Sequence, residues 1–218
     1  STDDIAQQLR VEALHEVSSW EMLSRIERCP VLEEKWRRAG DAIHAAFSDL
    51  RASVSRAHPL HEQVTWFREN IRPLRAAIRE TRKPQKATRN LPQTKIEISG
   101  GTATVPRIYR VAECFLTAVG FAFDLKILAL YINGVQEAES LSLGEVWALR
   151  GMLQLVLLEK IGPDAALLVQ RIAAQDGDSE STPTLRLPQL ISSLRRVSEA
   201  EWKDVVEQLS LTEKVLRE

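Results

Sequence analysis

The most apolar stretch of the chain covers residues 141–161 and reads LSLGEVWALRGMLQLVLLEKI. Apolar residues occur on every side of a helix drawn through it, which is typical of a helix buried in a protein core or a membrane. A membrane span needs about 20 residues with few charges, and Arg150 interrupts this run. Ser142 and Glu145 have the spacing of a capping box, which marks a helix start. The pattern predicts a buried central helix, with Trp147 inside the core.

Apolar residues also recur at intervals of three and four along most of the remaining chain, which predicts further helices. We expect them at residues 5–26, 30–50, 64–78, 106–136 and 187–197, with a last one opened by a Ser198–Glu201 capping box. Two of these, 30–50 and 64–78, carry coiled-coil-like seams and should pack as a helical hairpin. The predicted fold class is all-α: a multi-helix bundle with a helical hairpin packed around the buried central helix.

Proline and glycine positions predict where these helices are interrupted. Pro73 should kink the helix that contains it, Asn133–Gly134 should end a helix, and Gly162–Pro163 should end the central helix. Residues 95–98 alternate in polarity and predict an extended segment, but one such segment does not make a sheet. We expect an N-terminal helix (residues 1–29), a helical core domain (30–175) and a C-terminal helical segment (176–218) leading toward further domains.

Composition and charge narrow the classes of function. With 44% apolar and 27% charged residues, the chain resembles an ordinary globular protein. A net charge of −1 gives no general attraction to nucleic acid or anionic lipid, so we predict no nucleic-acid partner. Because charged residues interrupt the long apolar stretches, we also predict no transmembrane segment. Cys29 and Cys114 form no C-x-x-C motif and indicate no disulfide framework. This cysteine usage fits a reducing compartment and predicts a cytoplasmic location.

The most regular polar pattern is a series of arginines in the helix predicted at residues 64–78 and just after it. They are spaced 4, 3, 4 and 3 residues apart and are Arg68, Arg72, Arg75, Arg79 and Arg82. This basic stripe could bind a polyanion, a nucleotide sugar or an acidic partner. Alternatively, it is a solvated flank whose side-chain stems cover the apolar seam. Both interpretations remain open at this point.

No motif indicates catalysis, a metal site or a bound cofactor, and the sequence predicts none of them. His58 and His61 lack metal-site spacing, and no nucleophile elbow or phosphate-binding loop is present. Arg107 and Tyr109 stand in a distinctive segment and have two interpretations. They contact Glu145 or Glu159 inside the protein, or they contribute to a surface for a partner or ligand.

Several segments, in order, carry a resemblance to a known family. The central segment LSLGEVWAL (141–149) is preceded by TWFREN (65–70), NLP (90–92) and PRIYRVA (106–112), and followed by ISSLRR (191–196), EW (201–202) and the ending from residue 209 to 217. Together they resemble the amino-terminal helical region of the cyclic β-1,2-glucan synthases. The resemblance covers residues 32–218. It departs at Thr65, Arg68 and Glu69, and the tyrosine-rich segment that follows NLP in the family is missing.

The resemblance implies a much larger enzyme, tethered to the inner membrane, with glycosyltransferase, transglycosylase and glycosidase domains. Their catalytic residues lie outside this chain, so whether the chain itself is an enzyme stays open. The implied partners are the other domains of that enzyme, and glucan or nucleotide sugar through them. The first hypothesis is therefore a non-catalytic accessory or scaffold domain that docks or positions catalytic domains. The alternative is a stand-alone binding module that uses the basic stripe.

Overall fold

The protein is described by a computed structural model that covers residues 2–21, 23, 29–51, 55–82, 90–98, 100–174 and 186–209. This part of the chain is mostly helical, with one two-stranded sheet. The elements are α1 (Thr2–Ser18), α2 (Pro30–Asp49), α3 (His61–Glu69), α4 (Ile71–Arg82), β1 (Gln93–Ile98), β2 (Gly101–Pro106), α5 (Arg107–Ala118), α6 (Leu125–Ala138), α7 (Leu143–Ala173), α8 (Leu187–Glu199) and α9 (Trp202–Leu209). None of the helices described is long and apolar enough to cross a membrane.

Helix α7 is the centre of the fold, as predicted. It begins with the predicted capping box, in which the Ser142 hydroxyl accepts from the Glu145 amide and the Glu145 carboxylate accepts from the Ser142 amide. Residues 151–158 are all buried. Helices α2, α5 and α8 pack extensively against α7, and α4 and α9 contact it as well. Helix α1 packs on α6 and α5. The predicted bundle around a buried central helix is therefore confirmed.

The prediction that Gly162–Pro163 ends the central helix is wrong, because α7 continues through both residues. Proline inside a helix removes one hydrogen bond and costs about 3 kcal/mol. Beyond the proline, Ala165 and Leu168 are fully buried, and burying a leucine side chain gives back about 1.5–3 kcal/mol. Gly162 itself lies against α2, where an added Cβ would be 3.3 Å from the Ala42 Cβ. The glycine serves a close helix crossing rather than a helix end.

The predicted break at Asn133–Gly134 is also wrong, since both residues lie inside α6. A Cβ on Gly134 would be 3.2 Å from the Ala13 Cβ and 3.3 Å from the Arg10 Cα of α1. The glycine therefore allows α1 to cross α6 closely. Glycine has the same sequence signature at a close crossing and at a helix end, so the pattern alone does not separate the two.

The helix predicted over residues 106–136 is instead two helices, α5 and α6. They are separated at Gly120 and Phe121, which have φ values of 57° and 64°. Such left-handed backbone stops a right-handed helix. Asp124 then opens α6, because its carboxylate accepts from the amides of Lys126 and Ile127.

The expected helix through Pro73 is divided as well. Helix α3 ends at Glu69, and the side-chain amide of the following Asn70 donates to the Trp66 carbonyl at 2.8 Å. Pro73 then falls in the first turn of α4, where a missing amide hydrogen costs little. Helix α4 contacts α2 through the Trp36 indole, which donates to the Ile78 carbonyl at 2.9 Å. The seams of α2 and α4 do meet, although α2 packs more extensively on α7.

Residues 95–98 do find a partner strand, contrary to the expectation from the sequence. Strands β1 and β2 pair antiparallel, from Gln93 opposite Pro106 to Ile98 opposite Gly101. Gly100 and Gly101 have φ values of 101° and 146°, which only glycine adopts readily. The second strand was missed because its sequence, GTATVP, lacks the large alternating side chains that mark a strand.

Helix α1 ends at Ser18, before the predicted residue 26. The Ser18 and Ser19 hydroxyls donate to the carbonyls of His15 and Glu16, a local hydrogen-bonding pattern that competes with helix continuation. Ser198 does not cap the last helix either. It lies within α8, where its hydroxyl donates to the Leu194 carbonyl.

The expected burial of Trp147 is wrong, because its side chain is 54% exposed. It lies on the first turns of α7 together with Leu143, which is 41% exposed. Part of the C-terminal segment expected at residues 176–218, namely 176–185 and 210–218, lies outside the described residues, as do residues 83–89 directly after the basic stripe.

Candidate binding cleft

Arg107 lies at the start of α5 and is 3% exposed. Its Nε and Nη2 atoms donate to the two carboxylate oxygens of Glu145, at 2.6 and 2.9 Å, and Glu145 is fully buried. The remaining donors reach the Glu139 carboxylate and the Ser140 carbonyl. Burial by itself lowers the pKa of the Arg107 guanidinium, but hydrogen bonds to Glu145 and Glu139 raise it overall. The internal contact predicted for Arg107 is confirmed.

Tyr109, two residues further on, is 1% exposed. Its hydroxyl donates to the Glu159 carboxylate at 2.8 Å. On the other side Glu159 accepts from the Lys35 ammonium of α2 at 2.5 Å, and this ammonium lies 5.3 Å from the centre of the Tyr109 ring. Burial and the Glu159 carboxylate both raise the pKa of the Tyr109 hydroxyl. Tyr109 therefore stays protonated and acts as a donor that joins three helices.

A second group of charges joins α1 to α5. The Arg110 guanidinium binds both oxygens of the Glu16 carboxylate at 3.0 Å and pairs with Glu113 at 2.6 Å. The Trp20 indole also donates to Glu16, at 3.1 Å. Burial, followed by the neighbouring Glu16 carboxylate, raises the pKa of the Cys114 thiol to about 12. This thiol is therefore protonated at neutral pH and is a poor nucleophile.

Several of these groups, among them Lys35, Glu159 and Arg110, line a surface cleft beside the β-hairpin. Its larger part, about 1070 Å³, lies between α2, α7 and the hairpin. Its smaller part, about 360 Å³, lies between the hairpin, α5 and the end of α1. The two parts share the side chains of Lys35, Glu97 and Ile98. We call the whole feature the hairpin cleft.

The two parts of the hairpin cleft differ in their remaining lining. The larger part is also lined by Pro30, Val31, Glu34, Arg38, Ala39, Ala42, Glu159 and Pro163. The smaller part is also lined by Glu16, Ser19, Trp20, Lys95, Ile96, Arg110 and Glu113. The hairpin cleft is therefore lined by charged and apolar side chains together.

The basic stripe lies outside the hairpin cleft, and most of it is on an exposed helix face. Arg72, Arg75, Arg79 and Arg82 are exposed along α4, whereas Arg68 on α3 is partly buried. The Arg75 guanidinium lies 4.8 Å from the centre of the Phe47 ring, and that of Arg82 lies 5.5 Å from the Trp36 ring. In the described part of the chain these five arginines form no ion pair and no bond with Arg107 or Tyr109.

Apart from Glu159, which was proposed as a partner of Arg107 or Tyr109, the charged residues of the hairpin cleft were not identified from the sequence. Lys35 and Glu159 are 124 positions apart, and Glu97 comes from a strand that was not predicted to be in a sheet. The sequence around Glu159 indicated that this carboxylate has a partner, because a carboxylate between the apolar residues Leu158 and Ile161 is costly to bury unpaired. Within the described residues, no three His, Cys, Asp or Glu side chains are placed to hold a metal ion.

The chain is similar to the cyclic beta-(1,2)-glucan synthase NdvB of Rhizobium meliloti (strain 1021), with 28% identity over 119 residues. The similar stretch is 54% of this chain and 4% of that protein. No protein-family model matches the chain. The family resemblance inferred from the sequence is thus supported in part, as a distant relationship to a glucan synthase.

Proposed function

We propose that the chain is a non-catalytic helical accessory domain of a carbohydrate-active enzyme that makes β-1,2-glucan or a related polymer. In this role it positions neighbouring domains, and those domains are its partners. We also propose a cytoplasmic location. We further propose that the chain consists of an N-terminal helix (residues 1–29), a helical core domain (30–175) and a C-terminal helical segment (176–218). The distant similarity to a glucan synthase supports the enzyme class.

A structural rather than catalytic role is supported by the burial of the polar residues in the segments that resemble the family. Arg107, Tyr109 and Glu145 belong to the segments that resemble the family, and all three side chains are buried and hydrogen-bonded inside the protein. A catalytic group must touch its substrate, so groups paired in the interior are unsuited to chemistry. They are well suited to hold α5 rigidly against α7.

The expected result is that the purified chain neither transfers glucose from UDP-glucose nor hydrolyses β-1,2-glucan. Radiolabelled UDP-glucose and a reducing-sugar assay measure the two activities, with a membrane preparation containing the Rhizobium meliloti synthase as positive control. In the source cells, an antibody against the chain should detect a product far larger than 24.6 kDa. Turnover by the purified chain contradicts the proposal, as does a native product of 24.6 kDa.

A second candidate function is a stand-alone binding module for a polyanion, with the basic stripe as its contact surface. The observation that favours it is the exposure of four arginines of α4, none of which pairs with a carboxylate in the described residues. Nucleotide sugars present a diphosphate and acidic proteins present carboxylates, and both groups are anionic. Exposed cations of this kind attract anions in a salt-dependent way.

For this second function, the double variant Arg72→Glu/Arg79→Glu should elute from heparin at clearly lower salt than the unchanged chain. Neither arginine makes a ring contact, so helix packing is retained. The control is Arg10→Glu/Arg195→Glu, which changes the net charge equally at two exposed sites elsewhere. Equal shifts for both double variants mean that only the overall charge matters, and the stripe is then not a specific site.

A further inference from the structure

We propose that the hairpin cleft binds a neutral oligosaccharide chain. The inference rests on the proposed function for the choice of glucose as the sugar, but the ligand class follows from the cleft itself. Its larger part is already at the upper end of the ~300–1,000 Å³ that ligand sites usually occupy. The smaller part continues it past Lys35, Glu97 and Ile98. An elongated ligand of several sugar units fits this shape better than a compact one.

The charges of the hairpin cleft argue against an ionic ligand. Its cations all pair with carboxylates of the chain. Lys35 with Glu159 and Arg110 with Glu16 are partly buried pairs, and Arg38 with Glu34 and Lys95 with Glu21 are exposed pairs. Hydrogen bonds from Arg37 and Arg38 also hold the pKa of the Glu34 carboxyl below its usual value. Four cations against the carboxylates of Glu16, Glu34, Glu97, Glu113 and Glu159 leave no surplus of positive charge. A phosphate or a nucleotide therefore gains little here.

Paired charges are still good partners for hydroxyl groups. A carboxylate offers about four lone-pair sites and a lysine ammonium three donors. Glu159 uses some of its sites on Lys35 and Tyr109 and keeps the rest for a ligand. Hydrogen bonds that involve a charged group are about twice as strong as neutral ones. A sugar, which both donates and accepts through each hydroxyl, can use both kinds of group at once.

Apolar side chains line the hairpin cleft as well, among the charged ones. Pro30, Val31, Ala39 and Ala42 of α2 and Pro163 of α7 line the larger part. A pyranose ring presents C–H groups on its faces and hydroxyls around its edge, so it is apolar in one direction and polar in the other. The half-buried Trp20 lines the smaller part, and an aromatic ring offers a further apolar surface.

Two exposed side chains of the hairpin cleft are suitable for testing the inference by substitution. Glu97 is exposed and lines both parts, and its side chain makes no hydrogen bond or ion pair to a described residue. Ile98 beside it is 41% exposed although it is apolar. Removing either side chain breaks no internal contact of the kind made by Lys35 or Arg110. A loss of binding in these variants therefore reports on the ligand rather than on folding.

The experiment is isothermal titration calorimetry of the purified chain with a β-1,2-linked glucose hexasaccharide. Cellohexaose and maltohexaose test the linkage, and UDP-glucose tests an anionic ligand. We expect the unchanged chain to bind at least one hexasaccharide. Glu97→Ala should weaken that binding about tenfold, the effect of one hydrogen bond to a charged group, and Ile98→Ser should weaken it as well. The matched control is Glu69→Ala, an exposed glutamate of α3 that lines neither part of the cleft.

Three results overturn the inference: no hexasaccharide binds, the two cleft variants bind as well as the control, or only UDP-glucose binds. None of them affects the accessory-domain proposal, which is decided by the turnover assay and the size of the native product. Conversely, turnover by the chain would remove the accessory role and leave the binding site to be judged on its own titrations. The titrations with cellohexaose and maltohexaose decide whether the site selects β-1,2 linkages.

Discussion

Replacing Arg107 by methionine should lower the free energy of unfolding by about 3–5 kcal/mol. The variant leaves the Glu145 carboxylate fully buried without the guanidinium that now binds both of its oxygens. Breaking a buried ion pair from one side is costly because the remaining charge stays in a medium of low polarity. For a chain of this size the loss corresponds to a fall of roughly 6–20 °C in the melting temperature.

Urea unfolding followed by circular dichroism measures this change. The control is Arg195→Met, which removes an arginine that is 50% exposed and lies 3.5 Å from Glu199. Exposed pairs of this kind contribute between zero and about 1 kcal/mol. If Arg107→Met destabilises the protein no more than Arg195→Met does, the buried pair does not hold α5 against α7.

A second variant distinguishes the cost of the unpaired charge from the cost of lost packing. Arg107→Met combined with Glu145→Leu removes both charges and should be more stable than Arg107→Met alone. Recovery will be incomplete, because Glu145 also completes the capping box with Ser142, and a lost cap costs about 1 kcal/mol. A double variant no more stable than the single one would show that the cost comes from lost packing rather than from the unpaired charge.

The start of α7 shows why some features of the fold are predictable. A capping box depends on two residues three positions apart, Ser142 and Glu145, so the sequence contains all of it. The burial of residues 151–158 also follows, because a helix apolar on every side must be covered. Trp147 marks the limit of this argument: it has the same apolar pattern but is 54% exposed. Periodicity says which residues can be buried, whereas neighbouring helices decide which are.

The candidate site was less predictable than the fold, for a physical reason. Arg107 and Tyr109 were identified because their segment is distinctive, and their partners Glu145 and Glu159 were among the pairings proposed. The hairpin cleft, in contrast, combines side chains from α1, α2, β1, α5 and α7. Nothing local relates Lys35 to Glu97, since only the packing of distant elements brings them together. Both interpretations of the basic stripe required exposed arginines, and the four on α4 are exposed, whereas Arg68 on α3 is partly buried.

Glycine positions were the main source of error. Gly134 and Gly162 were expected near helix ends, but both lie inside helices at close crossings. Gly120 was not expected to matter, yet with a φ of 57° it separates α5 from α6. A glycine breaks a helix through its own backbone freedom, and it admits another helix through its missing side chain. The two roles differ in whether another helix packs against the glycine, and the local sequence does not show this.

Replacing Gly162 by leucine should therefore destabilise the protein by up to about 2 kcal/mol. A Cβ at this position lies 3.3 Å from the Ala42 Cβ and 3.4 Å from both the Cα and the carbonyl oxygen of Ala39. Two of these three atoms belong to the backbone of α2, which cannot turn aside as a side chain can. The rest of the leucine must push α2 away from α7, and such overpacking costs about 1–3 kcal/mol or more. The gain in helix propensity, about 1 kcal/mol, offsets only part of this.

The matched control is Gly144→Leu, the same change on the first turn of the same helix. There the closest atom to an added Cβ is the end of the Leu91 side chain, at 3.2 Å, and a rotation of that side chain relieves the contact. Chemical unfolding of both variants gives the comparison, with Gly162→Ala as an intermediate near the unchanged protein. If Gly162→Leu is as stable as Gly144→Leu, then α2 does not approach α7 this closely. The helix crossing that forms one wall of the hairpin cleft would then be wider than described.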